Sequence, residues 1–469
     1  MGFIYGLAVV LLIFEGIIIE CDGGGGRGAR GAESSNRSED PSSKEEQQIL
    51  MSKLLYMIEK NILYKTLQET KKNGVKNAGQ PSVSEILQNC IIRIKTSEFN
   101  GEIGEHYEDG ELFLGFGDYD KLMEFFDNFG DQVKKIEFDN ADCILDNEKH
   151  NNIFHCIIKC GKNLEMLRII TYEEFWNDIR FEGNGDFFPQ VKTFQFVGEI
   201  KQMPYDLDIM FPKLETFYLN GDVDDGSFLN NVSTLKELAL FSETMAEYQL
   251  HFILKKSTNL TTIILSKPKK KSTIGLIKTK LKGLKKLEVR DPGKDFLLRG
   301  ETKSVFMLPS VTQFDTLFAD ENVENLFEEL SFEMENLEKL TLIAEYYKPD
   351  YKIVEFTKKF KKLKKVVFSV LNEYTIECIE KLQHIEKLTA YIKGNQLESL
   401  KQMIGRLDKN SRLQTLKLRF IDKDLYKTYK NNMIIFINNL NGHRERKWTL
   451  SDKNEIATNI SYLIFKRKQ

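Results

Sequence analysis

Histidine is scarce in this chain, with six in 469 residues, and none sits beside a Ser or Cys in a recognisable nucleophile motif. No Gly-x-x-x-x-Gly-Lys-Ser/Thr loop occurs. The glycine run Gly23–Gly26 lies in a polar stretch rather than between a strand and a helix, so it cannot cradle a phosphate. Cysteine is equally thin, at six, and forms no Cys-x-x-Cys pair of the kind that holds zinc. Acidic residues crowd Glu102–Glu111 without the spacing of a calcium loop, and read as a solvated face. These absences leave catalysis without a site: no catalytic residue, metal or cofactor is expected. Long apolar runs are lacking too. Only Phe3–Ile19 is continuously apolar apart from Glu15, which is too short to span a bilayer comfortably. At the N-terminus it reads as a secretory signal peptide over residues 1–22, with no membrane span left after cleavage. The alternative is a signal anchor, because no Lys or Arg precedes the run.

What is present is a repeat. Leu235-Lys-Glu-Leu238-Ala-Leu240 has apolar residues at steps of three and two. The same pattern, with Ile, Val and Phe allowed, opens at Val133, Leu164, Val191, Leu214, Leu235, Leu260, Leu284, Val311, Leu337, Leu363, Ile385 and Leu413. Successive starts lie roughly 21 to 31 residues apart, averaging about 25, the period of a leucine-rich repeat. Each unit supplies one strand and one return segment, and neither can bury its apolar face alone. Stacking makes Leu235, Leu238 and Leu240, with their equivalents, an interior column. Glu237 and Ala239 then point to the other face, because strand side chains alternate. The predicted class is α/β: a leucine-rich-repeat solenoid with a curved parallel sheet on the concave face and helices and irregular segments on the convex face.

The repeat fixes the domain boundaries. After the signal, residues 23–44 are rich in Gly, Ser, Asn, Asp and Glu and read as a disordered linker. Residues 45–117 read as an N-terminal helical segment, with Ile49, Leu50, Leu54, Leu55, Ile58 and Ile62 on one helical face. Residues 118–450 are the repeat domain. Helical spacing marks its return segments Asn151–Cys160, Met245–Lys255, Val323–Glu333, Tyr374–Leu382, Leu397–Leu407 and Leu425–Leu440, while Lys267–Lys280 shows none. Residues 451–469, with Ile456, Ile460, Leu463 and Ile464, read as a capping helix over the last exposed edge.

These units resemble the leucine-rich-repeat superfamily over residues 133–450. The passage from Leu122-Met-Glu-Phe125-Phe-Asp-Asn-Phe129-Gly130 into Val133-Lys-Lys-Ile136 is also similar to the repeat halves of insect F-box proteins. No F-box itself is present, since only Pro81-Ser-Val-Ser-Glu85-Ile-Leu87 stands where one would open. The Asn expected three residues past the last strand apolar position is mostly absent; after Leu240 that place is Glu243.

Charge is divided along the chain. Residues 1–240 carry 41 acidic and 24 basic side chains, a net of −17, and residues 241–469 carry 29 and 43, a net of +14. Repeat alignment puts Lys286, Lys339, Lys365 and Lys387 at one concave position, with Gln313 interrupting the series. This row is the expected ligand-binding site, for a protein partner or an anionic polysaccharide. Nucleic acid is not expected, because no aromatic ladder interleaves the lysines. Cys143, Cys156 and Cys160 cluster near the first repeat as disulfide candidates, and buried free thiols are the competing reading. Asn36, Asn231, Asn259 and Asn459 open Asn-x-Ser/Thr sequons and are glycosylation candidates in a secreted chain. The function expected is that of a secreted, non-catalytic binding protein. The alternative is an intracellular, F-box-like adaptor that recruits substrates through protein–protein contacts.

Overall fold

The computed structural model describes residues 87–95, 106–108, 111–115, 126–140, 157–171, 188–242, 245–296, 305–318, 332–344, 357–368, 384–392, 397–406, 412–442, 448–455 and 460–467, with gaps of one to three residues inside some of these ranges. The expected signal peptide and linker, and the helix expected from residue 45 onward, lie outside them. Contacts divide the chain into two units, one from Arg27 to Leu260 and the other including Thr261 to Gln469.

In the first unit the strands are β1 (Ile91–Lys95), β2 (His106–Glu108), β3 (Glu111–Gly115), β4 (Lys135–Asn140), β5 (Met166–Thr171), β6 (Thr193–Val197), β7 (Thr216–Asn220) and β8 (Glu237–Phe241). β1 pairs in parallel with β4, and β4 to β8 follow in sequence order, all parallel. On the other side of β1, β3 pairs in parallel and β2 folds back antiparallel upon it. This corrects the expectation for residues 45–117. Three strands stand in its second half, and the parallel ladder begins at Ile91, upstream of the boundary expected at 118. The run Ile91-Ile92-Arg93-Ile94 is too short for a period to declare itself, and Ile92 and Ile94 fill the same interior column as the later repeats.

In the second unit the strands are β9 (Thr262–Ser266), β10 (Lys286–Arg290), β11 (Phe306–Met307), β12 (Gln313–Phe318), β13 (Phe332–Glu333), β14 (Lys339–Ala344), β15 (Lys365–Phe368), β16 (Lys387–Ile392), β17 (Thr415–Phe420), β18 (Trp448–Glu455) and β19 (Ile460–Arg467). β9, β10, β12, β14, β15, β16 and β17 form one parallel ladder. β11 and β13 make a separate two-stranded pairing. β19 then runs antiparallel to β17, and β18 antiparallel to β19.

That hairpin replaces the capping helix expected at 451–469. Ile460, Leu463 and Ile464 fit a helical face, but the period that prevails is two. Leu463 and Phe465 are fully buried and sit opposite Leu418 and Leu416. The edge of β17 needed a backbone partner, and Ile460-Ser-Tyr-Leu-Ile-Phe465, rich in β-branched and aromatic residues, supplies it.

The interior column is as the repeat predicts. All twelve opening residues, from Val133 to Leu413, are at most 4% exposed. The two positions that follow each are buried as well, Leu342 being the most open at 6%. One member is polar: Thr316 takes an apolar place, and its hydroxyl has no hydrogen-bond partner. Helices cover this column at Leu207–Met210, Glu247–Lys256, Lys271–Lys280, Leu397–Arg406 and Lys423–Gly442. The third falls in the segment expected to be irregular. Its lysines hid the pattern, yet Ile274, Ile277 and Leu281, at steps of three and four, are all buried. Of the other return segments, Asn151–Cys160, Val323–Glu333 and Tyr374–Leu382 lie wholly or mostly outside the described residues, and Phe332–Glu333 is strand.

Successive turns are tied by asparagine, one residue before the opening apolar position rather than after the strand. Asn163 Nδ2 donates to the Asp131 carbonyl at 2.7 Å, and Asn336 Nδ2 to the Pro309 carbonyl at 2.7 Å, each one repeat back. Past the strands the chain turns with positive φ. In the first unit Gly198 and Gly221 do so at φ 147° and 149°; in the second, Lys267 and Asp291 at 47° and 45°. A Cβ on Gly221 would lie 1.8 Å from the Gly198 carbonyl oxygen, so only glycine fits there.

Candidate functional site

Because the column residues face inward, the positions between them form outward rows running across the strands. In the second unit the first row reads Thr262, Lys286, Gln313, Lys339, Lys365, Lys387 and Thr415, each paired in register with the next. Lys466 of β19 lies opposite Thr415 and prolongs it. The four lysines expected on one face therefore stand in one row, with Gln313 between the first two. Neighbouring members are about 4.8 Å apart from strand to strand.

The lysines are not equivalent. Lys286 Nζ is 2.9 Å from a Glu288 oxygen and 3.6 Å from Asp315, and its side chain is 26% exposed. Glu288 also holds Arg290 at 2.8 Å, and Gln313 donates to Asp315. Lys286 thus belongs to a neutral, largely buried cluster on β10 and β12. Lys339, Lys365, Lys387 and Lys466 have no carboxylate within ion-pair reach among the described residues. Lys365, Lys387 and Lys466 are exposed and Lys339 is half-buried. Two ammonium groups 4 Å apart repel by about 1 kcal/mol in bulk water. The row is tolerable when its long stems splay, and an anion laid across it removes the residual repulsion.

Aromatic residues do approach cations of the neighbouring rows. Lys417 Nζ lies 3.8 Å from the centre of the Tyr462 ring. Arg419 sits between Tyr391 and Tyr462, at 5.3 and 5.6 Å, and donates to the Tyr391 hydroxyl at 2.7 Å. Both tyrosines are buried, so they fasten the hairpin to the ladder instead of offering a stacking surface. Their antiparallel partner strand was read as helix, which is why sequence reasoning missed them and Lys466 alike.

The first unit carries a different outward face. Its first row is Lys135, Met166, Thr193, Thr216 and Glu237. In the second row Glu137 is buried between Arg93, at 3.4 Å, and Arg168, at 3.0 Å. Farther along, Tyr218 and Phe241 pack at 5.1 Å beside Ala239, which faces outward as expected but is only 7% exposed. Ala239 is shielded because its outward neighbours are bulky.

Of the cysteine trio, Cys143 and Cys156 lie outside the described residues, and Cys160 is buried against Gly130. Cys90, beside β1, is a buried free thiol that burial pushes up to about 11. Of the sequons, Asn36 and Asn459 lie outside the described residues. Asn231 and Asn259 stand exposed in turns, where Asn231 Nδ2 donates to Asp206 at 2.9 Å. Among the described residues no group of His, Cys, Asp and Glu could hold a metal ion, and no helix is long and apolar enough to cross a membrane.

Parallel strands about 25 residues apart, one buried column and return helices on one side decide the fold. Each unit is a leucine-rich-repeat solenoid. A similar solved structure is an internalin from Listeria monocytogenes, 10% identical, covering 61% of this chain and 72% of that one with a TM-score of 0.25. So distant a likeness carries no functional argument. No family model matches the chain. A search of the curated proteins also returns no match. Leucine-rich-repeat solenoids present an extended concave surface suited to binding macromolecules, and the lysine row lies on that surface.

Proposed function

We propose that the chain is a secreted, non-catalytic leucine-rich-repeat protein that binds an acidic protein surface or a sulphated polysaccharide along the lysine row. The observation that carries this reading is the alignment of Lys339, Lys365 and Lys387 on three consecutive strands with no carboxylate partner among the described residues, prolonged by Lys466. Lys286 serves differently, holding Glu288 and Asp315 in place at the row's inner end.

Elution from immobilised heparin tests the reading. A Lys339→Glu/Lys365→Glu/Lys387→Glu variant should elute at clearly lower salt than wild type, because steering by a row of like charges is screened as the Debye length falls to about 3 Å at 1 M. The control reverses Lys401, Lys423 and Lys427, which lie on the return helices of the same unit. It changes net charge equally and should elute with wild type. Equal loss in both variants would leave only a net-charge effect and end the proposal. Secretion rests on the Phe3–Ile19 run and on the exposed sequons Asn231 and Asn259. Chain recovered from culture medium should gain mobility on treatment with peptide N-glycosidase, and an unmodified cytosolic product would refute that part.

A further inference from the structure

The convex side of the second unit has a groove that the lysine row does not use. One wall is the end of the helix Lys271–Lys280 and the turn after it, with Ile277 and Leu281; the other is Met307, Leu308 and Pro309, at the end of β11. Leu281 closes the helix by donating its N–H to the Ile277 carbonyl at 3.0 Å, and Leu308 N–H is held by Glu333 at 2.8 Å, so both walls are fixed by backbone bonds. Met307 is 38% exposed at the lip, whereas Leu281 and Leu308 are almost wholly buried at the base. Lys278 and Lys282 stand exposed on the first wall. Lys278 lies over the Phe306 ring at 5.7 Å, and no carboxylate pairs with either ammonium among the described residues. Among the described residues no acidic side chain lines the groove.

An apolar base with uncompensated cations at its mouth selects a ligand of complementary build. We infer that this groove docks an acidic amphipathic segment of a partner protein, with apolar side chains inserted between Leu281 and Met307 and carboxylates meeting Lys278 and Lys282. Both features are needed. Cations alone would suit any anion, but the recessed apolar base requires side chains that reach inward. An anionic membrane matches the charge and not the shape, because a flat surface cannot reach Leu281 behind the Met307 lip.

The test uses the full chain and a fluorescein-labelled peptide, Glu-Leu-Glu-Glu-Leu-Leu-Glu-Glu-Leu, read by polarisation. Wild type should bind it, and a peptide with every Leu replaced by Ser, which keeps only the carboxylates, should bind at least about tenfold more weakly. Met307→Glu, which places a charge at the exposed lip without touching the core, should weaken binding by about tenfold or more, and Lys278→Glu/Lys282→Glu should do the same. The concave variant Lys339→Glu/Lys365→Glu/Lys387→Glu should bind as wild type, so failure of the heparin reading would not touch this one. Equal binding by both peptides, or groove variants indistinguishable from wild type, would overturn the inference. So would binding to phosphatidylserine vesicles that falls in the groove variants while the peptide binds none of them.

Discussion

In the unit that ends at Leu260 the first outward row holds one lysine and one glutamate among Met and Thr; in the unit that starts at Thr261 it holds five lysines in eight places. The strands beneath are alike. Phe194, Phe217 and Leu238 fill the column in one unit as Leu340, Val366 and Leu388 do in the other, each at most 1% exposed. The fold is held by the inward positions, and the outward ones are left free to differ. Even charge is handled in two ways. Where the outward face is crowded, carboxylates are enclosed by cations, as Glu137 is by Arg93 and Arg168. Where it is open, Lys339, Lys365, Lys387 and Lys466 meet no carboxylate among the described residues, and only Lys286 is held by Glu288 and Asp315.

The sharpest way to break this comparison is to attack both columns alike. Leu238→Asp and Leu340→Asp each bury an unpaired charge in a packed interior, and each should destabilise its unit by about 4 kcal/mol or more. Glu237→Ala, one residue away on the exposed row, should shift stability by no more than about 0.5 kcal/mol. Ala239→Asp should not be mild, because that site is shielded by Tyr218 and Phe241. Urea unfolding followed by fluorescence reads all four. Equal midpoints for Leu238→Asp and Glu237→Ala would mean the inward and outward registers are reversed.

The corners after the strands come next. Gly221→Ala combines a φ of 149° with a Cβ driven into the Gly198 carbonyl, and should cost about 3 kcal/mol. At the matching corner of the second unit Asp291 already tolerates φ 45°, so Asp291→Gly should change stability by no more than about 1 kcal/mol in either direction. A mild Gly221→Ala would show that the stack of β6 on β7 can yield there.

How much of this could be read from the sequence follows from what each feature depends on. The column was legible because Leu-x-x-Leu-x-Leu is a local pattern repeated twelve times, and the lysine row followed because register in a parallel stack is fixed by that column. Lys466 was not legible. It reaches the row through an antiparallel strand whose Ile460, Leu463 and Ile464 fit a helical face equally well. Nor was the difference between Lys286 and Lys339, since pinning by Glu288 and Asp315 depends on side-chain geometry across two strands. The helix at Lys271–Lys280 was obscured by its own lysines.

The two units should also differ in which limb of the pH curve weakens them. Cys90, in the first, ionises at about 11 when folded against 9.0 ordinarily, because burial penalises the thiolate. A raised value means the contribution is whole below pH 9 and is lost as pH climbs from about 9 to about 11, amounting to roughly 3 kcal/mol. Subtracting the pH–stability curve of Cys90→Ala from that of wild type should isolate this alkaline step. A flat difference would mean the thiol is not held in an apolar site.

The smallest effect lies in the last hairpin of the second unit. Asp452 on β18 accepts from Lys430 Nζ and, at 2.8 Å, from the Tyr426 hydroxyl, both on the helix Lys423–Gly442. The bond from Lys430 holds the Asp452 carboxyl below its ordinary 3.8, while burial first and Asp452 second push the Tyr426 phenol up. A lowered carboxylate contributes above its unfolded value and loses that contribution as pH falls through about 4 and below, so this clamp weakens in acid. Both ionic side chains are more than a third exposed. Screening then limits the contribution to less than about 1 kcal/mol, and 1 M salt should shrink it further. The place to read it is hydrogen exchange in β18 and β19, since a clamp of this size guards the edge hairpin rather than the whole unit. Wild type should lose protection there between pH 5 and 3, and Asp452→Asn should be insensitive over that range. If the two exchanged alike at every pH, the helix would hold the hairpin by the buried Tyr426, Tyr429 and Met433 alone, and the acid sensitivity would have to come from another group.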